Sequence, residues 1–145
     1  MEIFEASPFD LEQLSSLLDE YRKFYEQESD IAAAQRFLAE RMKNKDSVIF
    51  VAAYEGELTG FVQLYPLFSS VQMKRLWLLN DLFVRADYRK KGIGEALIKQ
   101  AKEYAIQTAA CGIMLETSVT NVEGNNLYIK EKFHLIGNNF YYWSI

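Results

Sequence analysis

An α+β domain with a mixed, mostly antiparallel central sheet flanked by helices is the fold class this 145-residue sequence predicts. Three observations predict it. Apolar residues at helical spacing dominate the chain before residue 45. Two β-branched and aromatic runs, Val48 to Tyr54 and Leu58 to Tyr65, then flank a Glu55-Gly56 turn signal and read as a hairpin. From Lys74 onward, strand and helix patterns alternate as in a β-α-β-α unit.

Glu2 to Ala6 reads as a short opening strand. Ser7-Pro8-Phe9-Asp10 follows as an N-cap, a first-turn proline and an acidic residue three after the cap. Leu11, Leu14, Leu18, Tyr21 and Tyr25 then repeat at the spacing of a long amphipathic helix, and Ile31 to Met42 reads as a second. After the hairpin, Pro66 is expected to end the returning strand or to mark an edge. A strand follows from Lys74 to Val84. A helix opens at Gly92 and keeps Ile93, Ala96, Leu97, Ala101, Tyr104 and Ala105 on one face. Gly112 to Thr117 reads as a buried strand, Val122 to Lys132 as a helix, and His134 to Ile145 as one or two closing strands.

Composition bounds the function classes. Half the residues are hydrophobic and 14% are aromatic, enough for a packed core. No linker, repeat or low-complexity stretch divides the chain, so residues 1–145 read as one domain. No apolar run approaches the roughly 20 residues of a membrane span, and the N-terminal residues lack a secretory pattern, so a cytoplasmic enzyme is expected. A net charge of −4 argues against a broad nucleic-acid surface and is compatible with cationic substrates. One cysteine, Cys111, and one histidine, His134, are too few for a zinc site, and no metal is expected. Cys111 stands before an apolar run and reads as a structural thiol; His134, past a helix end, reads as structural.

The most informative stretch is Asn80 to Gly94: an apolar strand, a basic turn, and a glycine pair opening a helix. The first N–H groups of a helix have no intrahelical partner and offer donors and partial positive charge to an anion. Gly92 and Gly94 bring backbone close to a ligand, while Arg89, Lys90 and Lys91 add charge. A dinucleotide loop would need a third glycine at position 97, which is Leu97; a P-loop would need Lys and Ser/Thr after Gly94, which is followed by Glu95 and Ala96. What remains, Arg89-x-x-Gly92-x-Gly94, resembles the coenzyme-A pyrophosphate loop of the GNAT superfamily of N-acetyltransferases.

A second motif supports that resemblance. Asn121, Gly124, Leu127, Tyr128 and Phe133 fill places that GNAT enzymes often occupy with Asn, a small residue, an apolar-Tyr pair and a closing Phe. Lys132 stands where a glycine is usual, which bears on the helix end rather than on the chemistry. The resemblance is good from Val48 to Phe133, looser in the first helices, and implies the GNAT acyl-CoA N-acyltransferase fold. It also implies acetyl-CoA (coenzyme A) as cosubstrate. Leu82, Phe83 and Val84 would pair with the pantetheine arm, Arg89 through Gly94, Ile93 included, would wrap the pyrophosphate, and Asn121 would bond the arm. Tyr128 would protonate the departing sulfur. Taken alone, Tyr128 is a phenol of ordinary pKa about 10, able to act as an acid or simply to pack on the core.

Acetyl transfer to an amine requires loss of the ammonium proton, donors for the oxyanion (a backbone N–H near Leu82 or Phe83), and a leaving thiol. Leu79 to Val84 resembles the matching strand of the diamine acetyltransferases, where a glutamate at the Asn80 position is thought to act through water. Asn80 cannot take a proton. Asp81 is adjacent, but strand alternation aims it at the other face unless a bulge re-aims it. Asp81 as base or substrate anchor, Asp81 as a structural carboxylate, Glu116 at the end of the neighbouring strand, and a water chain all stay open. Tyr21, Phe24 and Tyr25, followed by Glu26, could wall a cation site, although such a stripe also suits a core. The pattern Tyr21-Arg22-Lys23-Phe24-Tyr25, with Gln63-Leu64-Tyr65-Pro66 and Phe68-Ser69-Ser70, resembles the branch of polyamine, yeast histone and D-amino-acid acetyltransferases. The expected acceptor is a small primary amine. A protein lysine or N-terminal amine, and a coenzyme-A-binding regulatory module without catalysis, are the alternatives. Phe140-Tyr141-Tyr142-Trp143 suits sheet packing or a strand at a homodimer interface.

Overall fold

The computed structural model describes residues 1–145. Its elements are β1 (Glu2–Glu5), α1 (Leu11–Phe24), α2 (Ile31–Asn44), β2 (Val48–Tyr54), β3 (Glu57–Ser69), β4 (Lys74–Val84), α3 (Ile93–Gln107), β5 (Ile113–Met114) and α4 (Val122–Lys130). The five strands lie in sequence order, antiparallel from β1 to β4, with β5 parallel to β4. This is the expected α+β architecture. No helix is long and apolar enough to cross a membrane.

Side-chain alternation on the strands divides the core into two layers. Ile49, Val51, Phe61 and Phe83 pack beneath α1 and α2 against Leu14, Leu17 and Leu38. Phe50, Val62, Leu64, Trp77 and Leu79 pack beneath α3 against Ile93, Leu97 and Ala101. The α1 start is fixed as its sequence predicts: the Asp10 carboxylate accepts from the Ser7 N–H at 2.8 Å and from the Ser7 hydroxyl at 2.9 Å. Asp19, buried on α1, accepts from the Ser29 hydroxyl and the Asp30 N–H, both at 2.7 Å, and so ties down the turn into α2. The Ser29 bond leads in holding its carboxyl below the usual range.

Of the two readings of Pro66 the edge holds, for β3 continues through it to Ser69. Pairing with β2 stops at Val48↔Leu64, so from Tyr65 onward β3 is an edge on that side and a residue without an N–H is tolerated there. The strand expected over Gly112–Thr117 shrinks to Ile113–Met114, because β4 and β5 pair only at Trp77↔Ile113 and Leu78↔Met114. The last helix ends at Lys130. Lys132 then adopts φ +68°, the left-handed conformation that the usual glycine would supply without strain, and the Phe133 N–H closes onto the Tyr128 carbonyl at 2.9 Å. Finally, His134 to Ile145 forms no strand: this segment is extended, unpaired and exposed.

Candidate active site

The site is shaped by a bulge in β4. Gln63 pairs with Asp81, but Leu64 pairs with Leu79, so Asn80 is an extra residue in the ladder. Strict alternation would put Asp81 on the Leu79 face, beneath α3. The bulge instead carries Asp81 onto the Phe83 and Phe61 face, beneath α1. Asp81 is buried there and Asn80 is exposed. Gln63 Nε2 donates to Asp81 Oδ2 at 2.7 Å and Asn80 Nδ2 donates to Oδ1 at 3.1 Å. Burial pushes the Asp81 pKa up, while the bonds from Gln63, Asn80 and the Tyr21 phenol favour its ionised form. A carboxylate with a raised pKa and a fixed orientation takes up a proton more readily than a free one.

Two more phenols respond to this charge. The Tyr21 pKa is raised, first by burial and then by Asp81; that of Tyr65 is pushed up to about 12 by the same two causes. Tyr21 packs against Phe61 and Phe83 at ring separations of 5.9 Å and meets Tyr25 edge-on at 5.0 Å. The aromatic stripe of α1 is therefore divided. Tyr21 belongs to the core wall beside Asp81, while Phe24 and Tyr25 face a cleft of about 570 Å³ lined also by Glu26, Ser118, Thr120, Asn121, Val122 and Glu123.

Beyond Leu78, β4 has no strand partner on the side away from β3, so its segment Leu79 to Val84, with Leu82, Phe83 and Val84, is a strand edge on which only the Val84 carbonyl is taken, by Arg89. This edge runs into the turn before α3. There the N–H groups of Lys90, Lys91, Gly92, Ile93, Gly94 and Glu95 have no protein acceptor; the first amide of the helix to find one is Ala96, on the Gly92 carbonyl at 3.0 Å. Gly92 has φ +80° and open space where a Cβ would stand, so it serves conformation. Gly94 lies close to α4: a Cβ there would stand 3.1 Å from Leu127 Cδ2. A row of unpaired amides at a helix start fits a polyphosphate, and a free strand edge fits an amide-containing arm.

The basic side chains are partly engaged. Arg89 Nε donates to the Val84 carbonyl at 3.0 Å and its guanidinium lies over Phe24 and Phe83 at 5.8 and 5.9 Å, at the top of the cleft. Lys91 Nζ donates to the Asp87 carbonyl at 3.1 Å. Lys90 extends into solvent with φ +59°. Asn121 caps α4: its Oδ1 accepts from the Gly124 N–H at 3.1 Å and its Nδ2 donates to Thr117 Oγ1 at 3.0 Å. Gly124 makes room for that cap, since a Cβ would come within 2.4 Å of Asn121 Nδ2.

Tyr128, on α4, packs edge-on against Phe133 at 5.9 Å, and burial, with a contribution from Tyr25, raises its pKa to about 12. It is a neutral phenol at physiological pH. The bulge thus brings Asp81 to Tyr21, and Tyr128 of α4 stands close enough to Tyr25 to feel its charge. Glu116 stands exposed past the end of β5 with no hydrogen bond or ion pair. Sequence reasoning missed Gln63, which is fully buried and accepts from the Ser47 hydroxyl at 2.9 Å while donating to Asp81. Its signal was a lone amide within the apolar run Phe61-Val62-Gln63-Leu64, since a buried amide must find partners.

The β4 edge left without a strand partner beyond Leu78 thus runs into a helix start with unpaired amides, a combination matched by the comparisons with known proteins. The chain belongs to the acetyltransferase (GNAT) family, whose model matches residues 12–134. It is similar to the uncharacterized N-acetyltransferase YhfO of Bacillus subtilis, at 45% identity over 128 residues, or 88% of this chain and 86% of that protein. It is also similar to a probable acetyltransferase of Haemophilus influenzae, at 34% identity over 91% of this chain and 94% of that one. The crystal structure of a probable acetyltransferase superposes with a TM-score of 0.96, at 34% identity, covering 100% of this chain and 98% of the solved one. The protein is an acetyl-CoA-dependent N-acetyltransferase.

Proposed function

We propose that residues 1–145 act as a single cytoplasmic N-acetyltransferase domain, in a homodimer, that acetylates a primary amine on a small molecule of polyamine or amino-acid-like type. The observation that carries this reading is the cleft, where Phe24 and Tyr25 stand with Glu26 and Glu123, and whose Tyr25 ring meets Tyr21, the phenol beside Asp81. Aromatic faces and carboxylates together favour an organic ammonium. Acetyl-CoA supplies the activated thioester when bound.

The chain's own groups divide the remaining work. The amides of residues 90–95 and the charge of Lys90 hold the pyrophosphate, and the free β4 edge at Leu82 to Val84 aligns the pantetheine arm. Asp81 takes the ammonium proton, directly or through water, while Gln63 and Asn80 keep the carboxylate aimed. A backbone N–H of the free edge near Leu82 or Phe83 stabilises the oxyanion. Tyr128, neutral because burial raises its pKa to about 12, holds a proton for the departing sulfur.

Acetyl-CoA consumption is measured with polyamines, amino acids, aminoglycosides and lysine peptides, using wild type and Tyr128→Phe. Turnover on small amines, with kcat lowered by about 10²-fold in Tyr128→Phe and coenzyme affinity kept, is the expected result. Turnover on peptides alone would replace the small-amine reading by protein acetylation. Tight coenzyme binding without thiol release for any amine would make the chain a binding module.

A further inference from the structure

A second cavity, of about 440 Å³, lies at the other end of α3 from Gly92, and Lys45, Ser47, Arg75, Trp77, Tyr104 and Thr108 line it. α3 has 15 residues, so roughly 20 Å separate this cavity from the unpaired amides at the helix start. It shares no residue with the cleft of Phe24 and Tyr25.

Arg75 sets the chemistry of the cavity. It is half-buried, and its guanidinium lies over the rings of Phe68 and Trp77 at 5.2 and 5.1 Å. Each of the other half-buried arginines holds an oxygen. Arg22 has the Glu28 carbonyl at 2.9 Å, Arg41 the Asp46 carboxylate at 3.3 Å, and Arg85 the Asp87 carboxylate at 3.0 Å. No carboxylate or carbonyl of the chain accepts from Arg75, although two rings hold its fork in place. A guanidinium that is oriented and keeps its donors unspent suits an oxyanion gripped by two parallel bonds.

The remaining groups of the cavity sort into spent and unspent donors. Ser47 gives its hydroxyl proton to Gln63 Oε1 at 2.9 Å. Thr108 gives its own to the Tyr104 carbonyl at 2.9 Å and accepts from Trp77 Nε1 at the same distance. The Lys45 ammonium has no ion pair, and the Tyr104 phenol has no hydrogen bond. Burial, then Glu5, push the Tyr104 pKa up while Arg75 opposes them, so this phenol keeps its proton at neutral pH. No carboxylate lines the cavity, and Val48, Pro66 and the Trp77 ring give it an apolar wall. The last carbonyls of α3 are occupied: those of Tyr104, Ala105 and Ile106 accept from the amides of Thr108, Ala110 and Ala109, which limits their repulsion of an anion.

We propose that this cavity binds a small organic oxyanion with two negative charges, a phosphate monoester or a dicarboxylate, gripped by Arg75 and paired with Lys45. The site is separate from that of the coenzyme. The full chain is titrated calorimetrically with glycerol 3-phosphate, succinate and inorganic phosphate, each in saturating coenzyme A so that other phosphate sites are filled. In parallel, the two tryptophan indole N–H signals are followed by NMR, because Trp77 lines the cavity and Trp143 does not. One equivalent of an organic dianion is expected to bind with a Kd of about 1 mM or tighter. It should move the Trp77 signal and leave that of Trp143 in place, wherever the coenzyme itself sits. Arg75→Gln should weaken binding about tenfold or more, and Lys45→Gln, an exposed change that spares the core, about threefold or more. Lys99→Gln removes the same charge outside the cavity and should change nothing. Glycerol 3-phosphate as the tighter probe identifies a phosphate monoester, and succinate a dicarboxylate. Binding that Arg75→Gln and Lys45→Gln leave unchanged, or that leaves the Trp77 signal in place, would overturn the site. So would the absence of binding by all three probes up to about 10 mM. Inorganic phosphate binding as tightly as both organic probes would overturn the organic occupant.

Discussion

Gln63 donates to the Asp81 carboxylate at 2.7 Å across two antiparallel strands, and neither side chain has appreciable exposure to water. The Ser47 hydroxyl donates to the other end of the same amide at 2.9 Å. Because Ser47 occupies the carbonyl oxygen, the amide NH₂ is obliged to face Asp81. The carboxyl group is thus held in one orientation, and the bonds to it oppose the upward push that burial gives its pKa.

Replacing Gln63 by leucine removes a donor that favours ionised Asp81, so the carboxyl pKa moves further up. A base works in its ionised form, and the rate rises as pH rises through its pKa. The acid limb of kcat/KM is therefore expected to shift to higher pH in Gln63→Leu, with a loss of about 10-fold at neutral pH that shrinks in alkaline buffer. A pH–rate profile of wild type and variant measures this. An acid limb that stays in place would remove Asp81 as the titrating base.

Asp81→Asn separates catalysis from stability. The folded-state pKa of Asp81 lies above its unfolded value, so the folded protein binds this proton more tightly. The stability contributed by the group is fully present below the unfolded pKa of about 3.8 and is lost as pH rises through the folded pKa. Above the unfolded pKa this group therefore costs the fold stability. An asparagine keeps an acceptor for Gln63 without the charge. The variant is expected to show a higher Tm than wild type at pH 7, no such gain near pH 3, and a kcat reduced by about 10²–10³-fold. Scanning calorimetry at the two pH values, beside turnover assays, checks both halves.

Much of this arrangement could be read from residues. Helical spacing from Leu11 to Tyr25, the Ser7–Asp10 cap and the Glu55-Gly56 turn each state a local preference that the fold keeps. The turn at Arg89–Gly94 announces its unpaired amides because a helix start cannot bond its own first N–H groups. The direction of Asp81 was not legible, since a bulge depends on how β3 and β4 register and on nothing local to Asn80. Nor was Gln63, whose partner is eighteen residues away on another strand. The tail is the reverse case: Phe140-Tyr141-Tyr142-Trp143 has strand-forming composition, yet the segment makes no ladder pair.

Gly92 distinguishes backbone from charge in the proposed phosphate site. Its φ of +80° disfavours residues with a Cβ, while asparagine tolerates the left-handed region better than most. The site has open space at this position, so a side chain meets the ligand and not the protein. Gly92→Asn is expected to weaken coenzyme A by only a few-fold, and Gly92→Asp by at least 10-fold more, with similar Tm values for the two. Isothermal titration with coenzyme A, repeated at high salt to screen the added carboxylate, makes the measurement. Equal affinities for the two variants would place the pyrophosphate elsewhere.

Lys132 offers a stabilising change away from the chemistry. It sits just past α4 at φ +68°, where the Phe133 N–H closes on the Tyr128 carbonyl, and its side chain is exposed without a hydrogen bond or ion pair. A Cβ in the left-handed region costs roughly 1–2 kcal/mol, whereas glycine there costs only the larger entropy of its unfolded chain, roughly 0.4–1 kcal/mol. The first term is the larger, so Lys132→Gly is expected to stabilise the protein by about 0.5–1 kcal/mol. For a domain of this size that is a rise of about 1–4 °C in Tm. Because Tyr128 and Phe133 keep their backbone closure, kcat and coenzyme affinity should stay within about twofold of wild type. Lys132→Ala retains the Cβ and should leave Tm nearly unchanged, which assigns the gain to the backbone and not to removal of the charge. A lower Tm in the glycine variant would mean that the lysine stem packs against the Phe133 turn more strongly than its exposure implies.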